Sequence, residues 1–274
     1  MIILDGKTLA EKESSKLKEE FQKFKRDITL AIIRVGRDSV GERFIAHKKK
    51  IAATIGVRVL ERAFDEKILG KKLRSEIGAI ARKKNIDGVI VQLPLPVHIN
   101  TQDILNAVIP EKDTDCLSAR SVGNFVVGKT KLIPPVVGAI SDLAKEYSID
   151  FRGKKIVVIG AGRLVGRPVA SWFLRQNIGC MVITEETPNP EKILQHADII
   201  ITGVGKKIID SSMIKDGVVI FDAGTSESKG VLHGDVDFES VSKKAFAITP
   251  VPGGIGPLTV IWIFKNLLAL VKGS

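Results

Sequence analysis

The feature that most constrains the fold of this chain is a repeated alternation of short, continuously apolar runs with helical patterns. Residues 29–35 (TLAIIRV) form one such β-rich run, and similar runs recur at 57–63 and 88–92. Helical patterns over about 40–54 and 67–84 lie between them. Runs without polar alternation indicate strands buried on both faces, and their alternation with helices indicates parallel strands joined by right-handed crossovers.

The same alternation resumes in the second half of the chain. Residues 110–131 contain Pro and Gly, and they are predicted to be irregular and to connect two domains. Pro134 and Pro135 then open a predicted helix that ends near Tyr147. Further strands are predicted at 155–160, 179–184, 198–202 and 217–222, and further helices at 164–176, 190–196 and 258–271. We therefore predict an α/β fold whose second domain is a Rossmann-like, doubly wound parallel sheet.

Composition favours two modest globular domains without a membrane span. The chain has 274 residues, of which 44% are hydrophobic and 27% charged. Its longest apolar stretch, 258–264, is shorter than the roughly 20 residues that a span requires, and it is predicted to be a buried helix. The N-terminus lacks the pattern of a secretory signal, which predicts a cytoplasmic protein. Cys116 and Cys180 lack metal-ligand spacing, so no metal site is predicted.

The net charge of +11 raises the question of a nucleic-acid partner. The basic residues are spread along the chain, and one Tyr with 5% aromatic residues supplies few stacking platforms for single strands. Anionic small molecules account for the charge equally well. A nucleic-acid partner is therefore not expected.

A glycine turn follows the predicted strand at 155–160. Gly160, Gly162 and Gly166 lie where this strand leads into a helix, a position at which backbone N–H groups approach a pyrophosphate. The spacing is one residue longer than the commonest fingerprint, and a tight turn without a ligand is the alternative. The βα units downstream favour a dinucleotide. Glu185 lies where a carboxylate binds a ribose 2′-hydroxyl, although it also fits a solvated loop residue.

Polar residues of the first half lie near the same kind of sheet edge. Phe44 and Lys48 are four residues apart and share a helix face. Taken alone, the lysine run up to Lys50 indicates a solvated face. Gln92 ends the third strand, where ligands bind in open parallel sheets, and Asp115 offers a hydrogen-bonding carboxylate. Each of these signals is weak by itself.

Three motifs together carry a resemblance that covers essentially the whole chain. They are QLPLP from Gln92, PEKDTD ending at Asp115, and ITPVPGGIGPLT over 248–259. In this combination the sequence resembles the bifunctional methylenetetrahydrofolate dehydrogenase/cyclohydrolase family. The resemblance implies oxidation of 5,10-methylenetetrahydrofolate with a nicotinamide cofactor and then hydrolysis to 10-formyltetrahydrofolate, in one-carbon metabolism and purine biosynthesis.

The resemblance also implies an architecture. A three-layer α/β catalytic domain that binds folate would comprise 1–130 and 256–274, with the C-terminal helix returning to it. The Rossmann-like dinucleotide domain would comprise 131–255. A cleft between the two would bring the folate's bridging carbon against the nicotinamide. Members of the family are usually cytoplasmic homodimers.

Site residues follow from the matched motifs. Lys48 matches the catalytic lysine, Gln92 its orienting glutamine and Asp115 the carboxylate that binds the pterin. A lysine held neutral, by burial or by a second cation such as Lys50, would activate water for the hydrolysis. The expected substrate-site residues also include Phe44, Pro252 and Gly253. The expected cofactor contacts are Gly160, Ala161, Gly162, Arg163, Val165, Glu185, Thr225 and Thr259.

One departure from the family bears on hydrolysis. Phe44 stands where the family has Tyr, so a hydroxyl near Lys48 is missing unless Ser39, His47 or water replaces it. The sole Tyr, Tyr147, lies in another segment. A dehydrogenase with impaired cyclohydrolase activity is therefore one alternative.

Other departures bear on the choice of cofactor. Ala161 and Gly162 replace an Arg-Ser pair that commonly binds the NADP 2′-phosphate, and Glu185 replaces a serine. A carboxylate there repels phosphate, so these residues favour NAD whereas the family habit favours NADP. Arg163 could restore phosphate binding. NADP is expected, with NAD possible.

A further departure lies next to Asp115, where Cys116 replaces a glycine of the family.

Two rival functions stay open at this stage. The first is a two-domain dehydrogenase acting on an amino acid or a shikimate-like acid. The second is a non-catalytic nucleotide-binding or nucleic-acid-binding protein, which would show salt-sensitive binding and no turnover.

Overall fold

The chain forms two compact units in a computed structural model that describes residues 1–37, 39–228 and 231–273. One unit, here called the six-stranded unit, comprises Met1–Ala10 and Pro134–Thr259. The other, the three-stranded unit, comprises Glu11–Ile133 and Val260–Ser274.

The secondary structure alternates strands with helices through most of the chain. The strands are β1 (Ile2–Ile3), β2 (Thr29–Val35), β3 (Arg58–Phe64), β4 (Gly88–Val91), β5 (Ile156–Ile159), β6 (Met181–Ile183), β7 (Ile199–Thr202), β8 (Val219–Asp222), β9 (Ser226–Ser228), β10 (Val231–His233) and β11 (Ala247–Ile248). The α-helices are α1 (Gly6–Phe21), α2 (Ser39–Ile55), α3 (Gly70–Ala81), α4 (Thr101–Leu105), α5 (Ala119–Val126), α6 (Pro135–Glu146), α7 (Gly166–Arg175), α8 (Pro190–Leu194), α9 (Phe238–Val241) and α10 (Ile255–Lys272). Short 3-10 helices cover Pro110–Lys112 and Ser211–Met213.

The three-stranded unit is built on a parallel sheet of order β3-β2-β4. Residues 29–33 of the central strand are all buried, so both faces of the sheet are covered, as the continuous apolar run predicted. The chain enters β3 on one side of β2 and β4 on the other. The crevice at the carboxyl ends of β2 and β4 is therefore a topological switch point, where ligands bind in sheets of this kind.

The six-stranded unit contains a parallel sheet of order β1-β11-β8-β7-β5-β6. Strands β5, β7 and β8 are buried along their whole length. The chain runs from β5 to β6 on one side and then crosses to β7 on the other. A second switch point therefore lies at the carboxyl ends of β5 and β7. The predicted two-domain α/β fold with a doubly wound parallel sheet is confirmed.

The first ten residues belong to the six-stranded unit. Ile2 and Ile3 pair with Ala247 and Ile248, and Leu4 N donates to Ile248 O at 2.9 Å. This differs from the sequence-based boundary, which placed all of 1–130 in the first domain, because a two-residue strand leaves no periodic signal. Near the C-terminus, the boundary between the two units falls inside α10, after Thr259, close to the predicted boundary at 256. The domain ranges 1–130 with 256–274, and 131–255, stay predictions.

The segment 110–131 was predicted to be irregular, and that prediction is wrong for α5. Ser118 caps this helix, because its Oγ accepts a hydrogen bond from Ser121 N at 3.2 Å. Gly128, which suggested a loop, follows the helix with a φ of 75°. The helix α1 was not predicted either, since a serine at position 14 interrupts its apolar face.

The terminal helix α10 is long and apolar enough to cross a membrane by length and composition alone. Half of it is buried, and Leu258, Ile261, Phe264 and Leu267 are fully covered by the surrounding chain. A core helix of a globular protein passes the same test. The prediction that residues 258–264 form a buried helix is confirmed.

Candidate active site and glycine turn

Lys48 is a buried lysine on α2, and only 8% of it is exposed. Its Nζ donates a hydrogen bond to Gln92 Oε1 at 2.9 Å. The helix follows β2, and Gln92 follows β4, so the first switch point brings the two side chains together. The neighbouring Lys49 and Lys50 are exposed, so the solvated-face interpretation holds for them and is wrong for Lys48.

The amide of Gln92 is fixed by its surroundings. Gln92 Nε2 donates to Leu93 O at 2.8 Å, which leaves Oε1 facing the lysine. The backbone is anchored to the central strand, because Gln92 N donates to Ile33 O at 2.8 Å. The Leu93–Pro94 peptide bond that follows is cis.

Asp115 lies on a loop whose backbone is hydrogen-bonded to the carboxylate of Asp113. Asp113 accepts hydrogen bonds from Leu117 N at 3.2 Å and from Ser118 N at 2.8 Å. Asp115 itself is partly accessible, and no donor within the described chain hydrogen-bonds its carboxylate. Burial raises the pKa of Asp115 to about 6, with Lys48 opposing and Asp113 adding to the rise.

Burial also lowers the pKa of Lys48, and the charge of Asp115 opposes this effect. Of the two causes considered for a neutral lysine, burial is the one that operates, since the charge of Lys50 acts on His47 instead. The two shifts have the same sense, because burial favours the uncharged amine of Lys48 and the uncharged carboxyl of Asp115.

Asn266 on α10 ties the Asp115 loop to the rest of the three-stranded unit. Its Nδ2 donates to Thr114 O at 2.9 Å and to Ile133 O at 2.8 Å, and its Oδ1 accepts from Ile133 N at 3.2 Å. Asn266 is buried, and its partners are these backbone groups and the Cys116 thiol, whose Sγ accepts from Nδ2 at 3.8 Å. Cys116, next in the loop, has a φ of 57°, a region that favours the family's glycine.

Replacing Asp115 by Asn tests the pKa assignment through stability. A pKa raised to about 6 means that the folded state prefers the protonated carboxyl, so stability falls as pH rises from about 4 to about 6. Asp115→Asn should therefore be more stable than the unmodified chain at pH 8, on the order of 2 kcal/mol, and equally stable at pH 4. Denaturant unfolding at several pH values measures the difference. A difference that does not vary with pH would contradict the assignment.

Phe44 lies one helical turn before Lys48, and Lys48 Nζ is 6.0 Å from the centre of its ring. The side chain of Ser39, considered as a source of the missing hydroxyl, lies outside the described part of the molecule. His47 is half-buried, and burial lowers its pKa. The Tyr147 hydroxyl accepts a hydrogen bond from Asp5 N at 2.9 Å, within the six-stranded unit.

Restoring the hydroxyl tests what Phe44 changes. The resemblance implies hydrolysis of methenyltetrahydrofolate, and a hydrogen bond worth about 1 kcal/mol near Lys48 would raise the rate of that step roughly 5-fold in Phe44→Tyr. Stopped-flow loss of methenyl absorbance gives the rate. An unchanged or lower rate would show that this hydroxyl has no part in hydrolysis here.

The glycine turn, residues 160–166, connects β5 to α7 at the second switch point. Gly160 has a φ of 86°, and a Cβ on Gly166 would lie 1.9 Å from Gly160 O, so the helix packs directly on the turn. A Cβ on Gly162 would meet nothing within 4 Å. The turn thus has one tightly packed glycine and one that faces open space, which suits the close approach of a pyrophosphate.

The other predicted cofactor contacts lie on neighbouring loops of the six-stranded unit. Glu185 is 93% exposed, and its Oε1 lies 3.8 Å from Lys206 Nζ. Arg163 is partly buried on the glycine turn, whereas Ala161 is exposed. Val165 is buried beneath the turn and packs against Gly203. A Cβ on Gly203 would lie 2.5 Å from Val165 Cγ2. Sequence reasoning missed Lys206.

The remaining predicted residues lie on loops or near the start of α10. Thr225 is exposed after β8, and Thr259 Oγ1 donates to Gly256 O at 2.7 Å in α10. Gly253 O accepts from Lys7 N at 2.8 Å, and Pro252 follows a cis peptide bond. Roles for these residues stay predictions.

Comparison with known proteins identifies the family. A family model described as "Tetrahydrofolate dehydrogenase/cyclohydrolase, catalytic domain" matches residues 4–115, and the corresponding NAD(P)-binding domain matches 134–274. The chain belongs to this family. A bifunctional protein FolD from a Sulfurihydrogenibium species is 40% identical, over 99% of this chain and 98% of its own.

Solved structures of tetrahydrofolate dehydrogenase/cyclohydrolases have the same fold. The bifunctional FolD enzyme of Campylobacter jejuni superposes with a TM-score of 0.95 at 34% identity, covering 100% of this chain and 99% of that one. The Trypanosoma brucei enzyme, solved with NADP cofactor and inhibitor, gives 0.94 at 30% identity, covering 100% and 98%. The dinucleotide expected in this family fits the glycine turn described above. Within the described ranges, no group of three or more His, Cys, Asp and Glu side chains could hold a metal ion.

Proposed function

We propose that this chain oxidises 5,10-methylenetetrahydrofolate to the methenyl form and hydrolyses that product to 10-formyltetrahydrofolate. The observation that carries the proposal is the buried Lys48 amine, which is hydrogen-bonded to Gln92 and feels the charge of the Asp115 carboxylate. Family membership supports both activities in one chain.

In the hydrolytic step, Lys48 acts as the general base. A water oxygen bonds to the cationic methenyl carbon while one of its protons passes to the neutral amine of Lys48. The bond from that carbon to N5 then breaks with its electron pair, and Lys48 returns the proton to N5. The remaining hydroxyl proton leaves to solvent, so that the formyl group stays on N10. Gln92 holds the amine in place, and Asp115 accepts hydrogen bonds from the pterin ring.

In the oxidative step, a bound nicotinamide supplies the acceptor for the electrons of the methylene carbon. The protein's contribution is binding and orientation, through the glycine turn and the loops that surround it. Phe44, Pro252 and Gly253 are the further residues we assign to the folate.

NADP is the cofactor we propose, with NAD as the weaker alternative. Ala161 and Gly162 supply no side-chain donor for a 2′-phosphate, so the cations available are Arg163 and Lys206. Lys206 lies beside Glu185 and offsets the repulsion that this carboxylate would exert on phosphate.

A homodimer in the cytoplasm is part of the proposal. Strand β6 is at the edge of the six-stranded sheet, and Met181 and Val182 on it are 52% and 39% exposed. An exposed apolar edge strand favours pairing with a second copy. The cytoplasmic location rests on the family resemblance.

A steady-state assay with NADP and NAD in parallel tests the proposed activity. We expect reduced cofactor to form with methylenetetrahydrofolate, and a lower KM for NADP than for NAD. No reduction with either cofactor would overturn the proposal. Reduction with a shikimate-like acid or an amino acid instead, or salt-sensitive DNA binding without turnover, would favour the rival functions.

A further inference from the structure

The loop after β7, residues 203–206, is held by one buried carboxylate. Backbone N–H groups of Val204, Gly205 and Lys206 donate to Asp235 at 2.7, 2.8 and 3.0 Å, and Thr202 Oγ1 donates at 2.6 Å. Asp235 has no exposed surface. Three hydrogen bonds therefore hold this loop at the second switch point, and a fourth comes from Thr202 at the end of β7. All four end on one side chain.

A second buried carboxylate holds Asp235 in place. Asp222, the last residue of β8, accepts from Asp235 N at 3.1 Å, from Val236 N at 3.0 Å and from Gly224 N at 2.8 Å. The adjacent chain leaves room only for glycine. A Cβ on Gly224 would lie 2.0 Å from Asp235 Oδ1, and one on Gly234 would lie 2.1 Å from Asp222 Oδ2.

The arrangement determines what the β7 loop contributes to the dinucleotide site. Three consecutive N–H groups that converge on one point form an anion-binding nest. Here Asp235 fills that nest, so the loop has no free N–H groups there for a phosphate. Val204 instead packs against the glycine turn, since a Cβ on Gly160 would lie 2.6 Å from Val204 Cγ1. Lys206, the last residue held, lies beside Glu185.

We propose that Asp235 is a positioning residue for dinucleotide binding. It keeps the β7 loop in the one conformation in which Val204 supports the glycine turn at Gly160 and Lys206 faces the Glu185 carboxylate. The inference rests on the dinucleotide site of the proposed function. It goes beyond that function because it names a residue that would fix the conformation of the site without contacting the ligand.

Asp235→Asn tests the inference, because the amide keeps the shape of the side chain and directs an NH2 group at the N–H donors. We expect the dissociation constant for NADP, measured by calorimetry, to rise at least 10-fold. Amide hydrogen exchange at residues 204–206 should accelerate at least 100-fold. The hydrolysis of methenyltetrahydrofolate, which uses no nicotinamide, should stay within 2-fold of the unmodified chain.

Asp237→Asn is the matched control, since Asp237 lies two residues further on and pairs on the surface with Lys207 Nζ at 3.0 Å. It should leave all three measurements unchanged. Should Asp235→Asn fail to fold, Thr202→Val removes one of the four bonds without changing the shape of the side chain. It should raise the NADP dissociation constant about 3-fold and accelerate exchange in the same loop.

Two results would overturn the inference. One is faster exchange at residues 204–206 with an unchanged dissociation constant for NADP. The other is an equal loss of NADP binding and of hydrolysis, which would indicate a purely structural role. If the unmodified chain bound neither NADP nor NAD, the proposed function itself would fail. If instead the unmodified chain and the variant bound NADP equally, the proposed function would stand and only the inference about Asp235 would fail.

Discussion

Lys48→Met is expected to lower the rate of methenyltetrahydrofolate hydrolysis by about 10²–10⁴-fold, the usual contribution of a general base. The substitution keeps the aliphatic length of the side chain and removes the amine that Gln92 accepts from. Because burial penalises the charged form of Lys48 and a thioether carries no such penalty, the variant should be at least as stable as the unmodified chain. The loss of methenyl absorbance in single-turnover experiments gives the rate.

Lys50→Met provides the control for this experiment. Lys50 lies on the same helix but is exposed, so its replacement should leave hydrolysis within about 2-fold. If Lys48→Met hydrolysed the substrate at the unmodified rate, Lys48 would not be the base. Equal losses in the two variants would point to a general effect of charge.

Gly166→Ala is expected to destabilise the six-stranded unit by roughly 3 kcal/mol and to abolish dinucleotide binding. The added methyl group would lie 1.9 Å from the carbonyl oxygen of Gly160 and 2.8 Å from its carbon. Both are backbone atoms, so the turn or the start of α7 must move. Denaturant unfolding reports the stability, and calorimetry with NADP reports the binding.

Gly162→Ala separates packing from ligand approach. A Cβ at this position meets nothing within 4 Å, so the free energy of unfolding should change by less than about 0.5 kcal/mol. The NADP dissociation constant should still rise if the pyrophosphate approaches the backbone here. Unchanged stability in Gly166→Ala would contradict the packing described for the turn.

The fold was predictable where apolar residues form continuous runs. Strand β2 matches its predicted range because both faces are buried and the run ends at a glycine. Strands β1 and β11 were not predicted, since two-residue strands carry no period. These strands are recognised only by their pairing with segments that are distant in sequence, and a single sequence does not show which segments pair.

The site was predictable in its residue types but not in its environment. Lys48 is flanked by Lys49 and Lys50 in the sequence, and only the packing of α2 on the sheet separates the buried lysine from the exposed ones. The raised pKa of Asp115 likewise depends on burial and on Asp113. Neither property has a counterpart in the local sequence.

Asp222, Asp235 and Asn266 were missed because most of their hydrogen-bond partners are backbone groups that are distant in sequence. Asn266 did leave a signal, since it is a polar residue inside the apolar run IWIFKNLLALV. A buried amide in such a run needs hydrogen-bond partners. Asp235 follows a glycine in the motif GDVDF, which contains no apolar period and therefore resembles an ordinary loop.

The product balance of a single reaction tests the central claim most directly. The unmodified chain is incubated with 5,10-methylenetetrahydrofolate and NADP, and reduced cofactor, methenyl absorbance and 10-formyltetrahydrofolate are followed together. The proposed function predicts one 10-formyltetrahydrofolate for each reduced cofactor, with little methenyl product accumulating. Methenyl product accumulating in step with reduced cofactor, or no reduction at all, would contradict it.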